Sequence, residues 1–121
     1  MRSAWALVEH KVRPHAKELL AKLVAFVQEE CMPAEAVFHA QIETDPKTRW
    51  NSYPSVIEQL KKRARSLGLW NLFLSKAHYP DVGTDLTNLE YALMAEVRAT
   101  CSLSPCAFFC YVLNPFSLAR R

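Results

Sequence analysis

The sequence contains very little glycine, since Gly68 and Gly83 are the two glycines among 121 residues. Sheet proteins with many tight turns need glycine for positive φ angles, so this scarcity argues against an all-β sandwich or barrel. It also excludes a glycine-rich phosphate loop, because neither G-x-G-x-x-G nor G-x-x-x-x-G-K can be written with these two residues. We therefore look for the fold among helical patterns.

The chain carries no large excess of positive or negative charge, and its first residues do not form an apolar leader. Fifteen basic and twelve acidic residues give a net charge of +3, which is too small to indicate a nucleic-acid partner by itself. The first thirteen residues mix apolar and charged side chains, unlike a secretory signal peptide. We expect an intracellular protein with reduced cysteines. A mitochondrial presequence stays open, because Arg2, Lys11 and Arg13 interleave with apolar residues.

Periodic apolar residues predict four amphipathic helices, which cover residues 15–31, 33–43, 54–68 and 87–98. A proline opens each of the first three, and Pro33 is expected to separate the first helix from the second. Gly68 suits a left-handed cap of the third helix, and Thr87 with Glu90 forms a T-x-x-E capping box at the fourth. Four helices joined by loops predict an all-α fold with orthogonal or bundle-like packing.

Two features leave other classes of function open. The basic stretch Lys61–Arg65 could contact phosphate, which would make the chain a small interaction module that binds nucleic acid. Such residues more often keep a helix surface hydrated, so we expect no nucleic-acid partner. Residues 99–119 carry no charge and reach the length of a membrane span, which would suit a tail-anchored protein. Their prolines, asparagine and hydroxyl groups disfavour a span.

Side chains with catalytic or metal-binding potential form no recognisable motif. Cys101, Cys106 and Cys110 are spaced unlike the C-x2-C pairs of zinc sites, and we expect them to behave as small apolar residues. His39 lies one helical turn after Glu35, which predicts a solvated pair on one helix. The histidines make no zinc-binding set and the serines have no triad context. We therefore assign no catalytic, cofactor-binding or metal-binding residue.

Three phrases stand out in the helical part of the chain. They are PAEAVFHAQI at 33–42, YPSVIEQLKKRARSLGLWNLFLSKAHYP at 53–80 and LTNLEYALMAEV at 86–97. In this order and with these gaps they resemble the N-terminal helical domain of the acyl-CoA dehydrogenases. The first predicted helix fits as well, so the resemblance covers about residues 15–98.

The resemblance implies an FAD-dependent oxidoreductase that converts acyl-CoA thioesters to 2-enoyl-CoA. In this family a glutamate removes the α-proton, flavin N5 accepts the β-hydride, and the enzymes are usually homotetramers. For this chain we expect a mitochondrial or cytoplasmic location. The flavin and the base are held mainly by other domains, while the N-terminal helices help to wall the acyl cavity. The resemblance thus implies that this chain alone is inactive and does not hold FAD.

By these patterns the chain divides into an N-terminal extension, 1–14, a helical domain, 15–98, and a divergent uncharged tail, 99–121. The tail does not match the glycine-containing turn and further helix of the family. Tyr91, Leu93 and Met94 could face an acyl cavity, but we assign none of them to a site. We expect the apolar helix faces to press against further domains, which leaves apolar surface uncovered in the isolated chain.

Overall fold

A computed structural model of the protein describes residues 4–42, 44–49 and 53–103. Its α-helices are α1, Ala4–Val8; α2, Pro14–Phe26; α3, Met32–Gln41; α4, Ser55–Ser66; and α5, Asn88–Arg98. A 3₁₀ turn follows α1 at Glu9–Lys11, and a π-helical turn at Val27–Cys31 joins α2 to α3. In the described ranges the β structure is one isolated bridge between Ser75 and Thr84. The all-α prediction is confirmed.

The expected break at Pro33 is wrong, because α2 continues through the π-helical turn into α3. The backbone N–H of Met32 donates to the carbonyl of Val27, which is the wide hydrogen bond of a π turn. Pro33 lies in the first turn of α3 and has no N–H to donate to a carbonyl four residues earlier. The widened turn directly before the proline lets the helix pass it without ending.

The core lies where this long helix meets the other two long helices. Helix α2 packs against α5, and α3 packs against α4. The α2 side contributes Leu23, Phe26 and Val27, which are all buried. Helix α4 contributes the apolar face that its period predicts, namely Val56, Ile57, Leu60 and Ala64. Residues outside the predicted helical domain also reach the core, since Val12 is buried and Trp5 packs against it.

The segment after α4 turns back into the core, as the sequence predicts for LWNLFL. Gly68 adopts φ +74°, the left-handed conformation expected at the end of a helix. Leu69, Leu72 and Leu74 are buried, so the turn directs its three leucines inward. Asn71 also has a positive φ, 58°, which asparagine tolerates better than most residues.

Helix α5 buries a face slightly rotated from the one we expected. The spacing predicts a line through Leu89, Leu93 and Val97, but Leu89 is exposed. Glu90, Leu93, Met94 and Arg98 are the buried residues of α5. Two charged side chains inside this face need polar partners, and those partners organise the candidate site.

Candidate functional site

A buried carboxylate on α5 fastens the N-terminal segment to the helical domain. Glu90 is 1% exposed, and its Oε1 accepts from the backbone N–H of Arg13 at 3.0 Å and from Nε at 2.9 Å. Its Oε2 accepts from Arg13 Nη2 at 2.7 Å. The same guanidinium donates to the Asp85 carboxylate at 3.1 Å and to the Asp85 carbonyl. This cluster, which we call the Arg13 clamp, therefore joins α2, α5 and the loop between α4 and α5.

Glu90 also completes the capping box that the sequence predicts. The Glu90 backbone N–H donates to Thr87 Oγ1 at 3.2 Å, and the Thr87 N–H donates to Glu90 Oε2 at 2.9 Å. Hydrogen bonds from Arg13 lower the pKa of Glu90 far below its usual range, against the effect of burial. The sequence reveals the box, but not the pairing, because Arg13 and Glu90 are 77 positions apart.

A second carboxylate fastens the segment that follows α5. Glu35 Oε1 accepts from the Ser102 backbone N–H and from Ser102 Oγ, both at 2.9 Å, and from Cys101 Sγ at 3.2 Å. The hydrogen bonds from Ser102 and Cys101 lower the pKa of Glu35. Glu35 is thus more than the expected solvated partner of His39. Cys101 and Leu103 are buried beside it.

Cys31 lies one turn before Glu35 and is fully buried. Burial raises the pKa of the Cys31 thiol to about 12, with a further contribution from nearby Cys101. A thiol in this state is protonated and unreactive at neutral pH. For Cys101 the expectation of a buried, apolar cysteine is confirmed, while Cys106 and Cys110 lie outside the described residues.

The basic stretch Lys61–Arg65 is largely engaged inside the chain. Lys61 donates to Glu58 at 3.1 Å and to the Tyr53 hydroxyl, and Arg63 pairs with Glu30 at 2.9 Å. The Arg65 guanidinium lies 4.2 Å from the centre of the Trp70 ring. These contacts give the stretch roles within the fold.

An apolar groove of about 540 Å³ follows the outer face of α2. We call it the α2 groove, and it is lined by Trp5, Lys17, Leu20, Ala21, Val24, Ala25, Gln28, Glu29 and Val97. Lys17 lies at one end and Glu29 at the other. Alkyl side chains form the middle, so the groove offers an apolar floor between two charges of opposite sign.

The loop between α4 and α5 presents apolar side chains to solvent. Phe73, Tyr79 and Val82 are 42%, 50% and 51% exposed. Its backbone is tightly closed: the Gly83 N–H donates to the Tyr79 carbonyl at 2.7 Å, and a Cβ on Gly83 would lie 2.6 Å from Lys76 N. The loop therefore holds these side chains outward on a well-defined backbone.

The residues considered for an acyl cavity lie mostly inside the core. Leu93 and Met94 are buried, and the Tyr91 hydroxyl accepts from Arg98 Nη1 at 3.2 Å. Burial lowers the pKa of Arg98, opposed by the hydrogen bond to Tyr91. In the part of the chain that the structure describes, no three His, Cys, Asp or Glu side chains gather as metal ligands. Within the same ranges, no helix has the length and hydropathy of a membrane span.

The α2 groove does not fit a flavin. Its pyrophosphate requires several outward-pointing N–H groups, such as those of a glycine-rich turn or a helix N-terminus. The α2 groove instead runs along the side of a helix, where the N–H groups are already used. Its one cation is Lys17. We therefore derive no catalytic step from these residues.

The chain is similar in sequence to several acyl-CoA dehydrogenases. The chain is 37% identical over 97 residues to acyl-CoA dehydrogenase family member 11 of Rattus norvegicus, a match that covers 78% of this chain and 11% of that protein. It is 38% identical over 86 residues to family member 10 of Mus musculus, covering 69% and 8%. Its identity to the probable acyl-CoA dehydrogenase FadE2 of Mycobacterium tuberculosis is 39% over 82 residues, covering 63% and 19%.

No model of a protein family matches the chain, and no solved structure gives a significant match. The chain spans about a tenth of the length of the family member 11 proteins. The relatives agree with one another and with the resemblance read from the three phrases. The matched segment of this chain therefore belongs to the acyl-CoA dehydrogenase family.

Proposed function

We propose that the chain is the N-terminal helical part of an FAD-dependent oxidoreductase that converts acyl-CoA to 2-enoyl-CoA. The observation that carries the proposal is the 37% identity over 78% of the chain to acyl-CoA dehydrogenase family members. The all-α fold agrees with the helical domain that the resemblance implies. Acyl-CoA is then the substrate, FAD the cofactor and a homo-oligomer the working form of the whole protein, in the mitochondrion or cytoplasm.

Within that protein this chain supplies packing surface rather than reacting groups. We assign it no catalytic residue, and we propose that alone it neither holds FAD nor oxidises acyl-CoA. Phe73, Tyr79 and Val82 support this role, because they are large apolar side chains held outward by a tightly closed loop. Apolar groups that face water in an isolated chain are typical of a surface that another domain covers. We propose that the flavin-bearing domain covers this loop.

A chimera tests the proposal. Residues 4–98, which include Arg13 and so keep the Arg13 clamp, replace the matching segment of family member 10 of Mus musculus, and the purified chimera is assayed for flavin absorbance and for dye reduction driven by acyl-CoA. We expect bound flavin and acyl-CoA oxidation, because the segment rebuilds the same helical domain. A chimera that folds and binds flavin but oxidises no acyl-CoA would contradict the proposed activity.

A matched pair of substitutions tests the role of the loop. In the chimera, Val82→Asp puts a charge on the loop, while Val37→Asp makes the same change on α3, where Val37 is similarly exposed at 46%. We expect Val82→Asp to lower flavin retention by about tenfold or more, because a charge in a covered apolar contact loses its water. Val37→Asp should keep the flavin. Equal flavin retention by both variants would show that the flavin-bearing domain does not cover the loop.

A further inference from the structure

Two ridges of side chains form the floor of the α2 groove, on the continuous helix made by α2 and the π turn that follows it. Rows of residues four apart form ridges along a helix surface. One ridge is Lys17, Ala21, Ala25 and Glu29, and the other is Leu20, Val24 and Gln28. The first has small residues in its middle and opposite charges at its ends, while the second has bulky apolar residues beside the small ones.

Two copies of this helix face fit together when the two helices run in opposite directions. If a second α2 lies antiparallel on the first, Leu20 and Val24 of one copy come opposite Ala25 and Ala21 of the other. Bulky side chains then enter the gaps above small ones, which is how helices pack closely. Because the two helices run in opposite directions, each copy offers the same face to the other, as a two-fold contact requires.

The charges agree with the same pairing. Lys17 and Glu29 are twelve residues apart, a separation somewhat shorter than the ~18 Å of a regular α-helix, because Glu29 lies in the π turn. An antiparallel partner places its Glu29 near Lys17 and its Lys17 near Glu29, so both ends attract. A parallel partner would bring like charges together at both ends. Lys17 Nζ pairs with Glu9 at 3.8 Å and lies 5.8 Å from the centre of the Trp5 ring. Neither contact is a close hydrogen bond, so its N–H groups can also serve a carboxylate of the partner copy.

We infer that the α2 groove is a self-association face, on which two copies of this chain pair through antiparallel α2 helices. Trp5 and Val97, at the edges of the groove, flank the contact. The inference does not depend on the proposed oxidoreductase function, because it concerns the mass of the particle and not its activity.

Charge reversal in the full chain tests the inference. Sedimentation equilibrium at concentrations on the order of 1 to 100 μM measures mass against the chain mass of 13.8 kDa. We expect the unmodified chain to approach twice this mass. Lys17→Glu alone, or Glu29→Lys alone, should weaken the dimer by about tenfold or more, because two symmetry-related pairs turn from attraction to repulsion. Lys17→Glu combined with Glu29→Lys should restore it.

Two further variants keep the test specific. The combination of Glu18→Lys with Lys22→Glu swaps two exposed charges of the same helix outside the groove and should leave the mass unchanged. Ala21→Leu fills the gap of the first ridge and should abolish the dimer, while circular dichroism reports that the helices remain. A monomer at every concentration would overturn the inference. So would a dimer unaffected by single reversals, or one that the double reversal does not restore.

Discussion

The segments before α2 and after α5 are each fastened to the helical domain by one glutamate, but the two attachments differ in kind. Glu90 is buried and receives a guanidinium and a backbone N–H from Arg13. Glu35 is half-buried and receives three donors from uncharged groups of Cys101 and Ser102 on one oxygen. The hydrogen bonds of both carboxylates are charge-assisted, because each acceptor is ionised. Glu90 differs in having a cationic donor, since the Arg13 guanidinium binds both of its oxygens, so its attachment should be the stronger one electrostatically.

The comparison indicates what holds each segment. The N-terminal segment depends on the Arg13 clamp, since removal of Arg13 leaves the buried Glu90 without its counterion, and removal of Glu90 leaves Arg13 only its exposed partner Asp85. The segment after α5 gains more from apolar burial, because Cys101 and Leu103 are 3% and 2% exposed. A glutamate substitution should therefore release the first segment, while an apolar substitution should release the second.

The largest effect is expected for Glu90→Gln. It removes the charge that faces Arg13 and weakens the capping box, which should lower the free energy of unfolding by about 3 kcal/mol. This is the low end for breaking a buried ion pair, because Arg13 is 39% exposed and can turn to water. Urea denaturation measures the change, with Glu96→Gln on the exposed side of α5 as the matched control. Equal stability of the two variants would contradict the clamp.

Leu103→Ala should have the next largest effect. Truncation of a buried leucine costs about 2 kcal/mol at the low end of the range, which we adopt because Leu103 lies outside the helices. The variant should also expose Cys31 and speed its reaction with a thiol reagent, since Cys31 lies in the same buried cluster. Leu7→Ala, at a leucine that is 65% exposed, serves as control. Unchanged stability would show that burial of Leu103 does not hold the segment.

Local signals in the sequence predicted much of the fold. Pro14, Gly68 and the Thr87–Glu90 box act within a few residues of where they stand, and each is found at the helix end that it predicts. The apolar period placed the buried face of α4 for the same reason. The break at Pro33 was wrong because a π turn can accommodate a proline, and no local pattern distinguishes that outcome from a new helix.

The candidate surfaces were harder to predict because they depend on distant residues. Arg13 and Glu90 are 77 positions apart, and Cys101 is 66 positions from Glu35. A single sequence carries no signal for such pairs. The T-x-x-E box could have drawn attention to Glu90, but it predicts an exposed helix start, not a buried carboxylate. The α2 groove is lined by residues of α1, of α2 with the π turn that follows it, and of α5. The apolar period of α2 predicts only the contribution of α2.

The smallest predicted effect is on the free energy of unfolding at acid pH, where Glu90 and Glu35 should again contribute differently. Both have a lowered pKa in the folded chain, Glu90 much more than Glu35. Such a group stabilises the fold above its unfolded pKa of about 4.3, and this stabilisation is lost as the pH falls toward the folded value. Between about pH 5 and 3, the unfolding free energy of the unmodified chain should fall as the pH falls. In Glu90→Gln this slope should be smaller by up to about 1.4 kcal/mol per pH unit. Glu35→Gln should flatten it less, and the reverse order would mean that the segment after α5 carries the stronger electrostatic attachment.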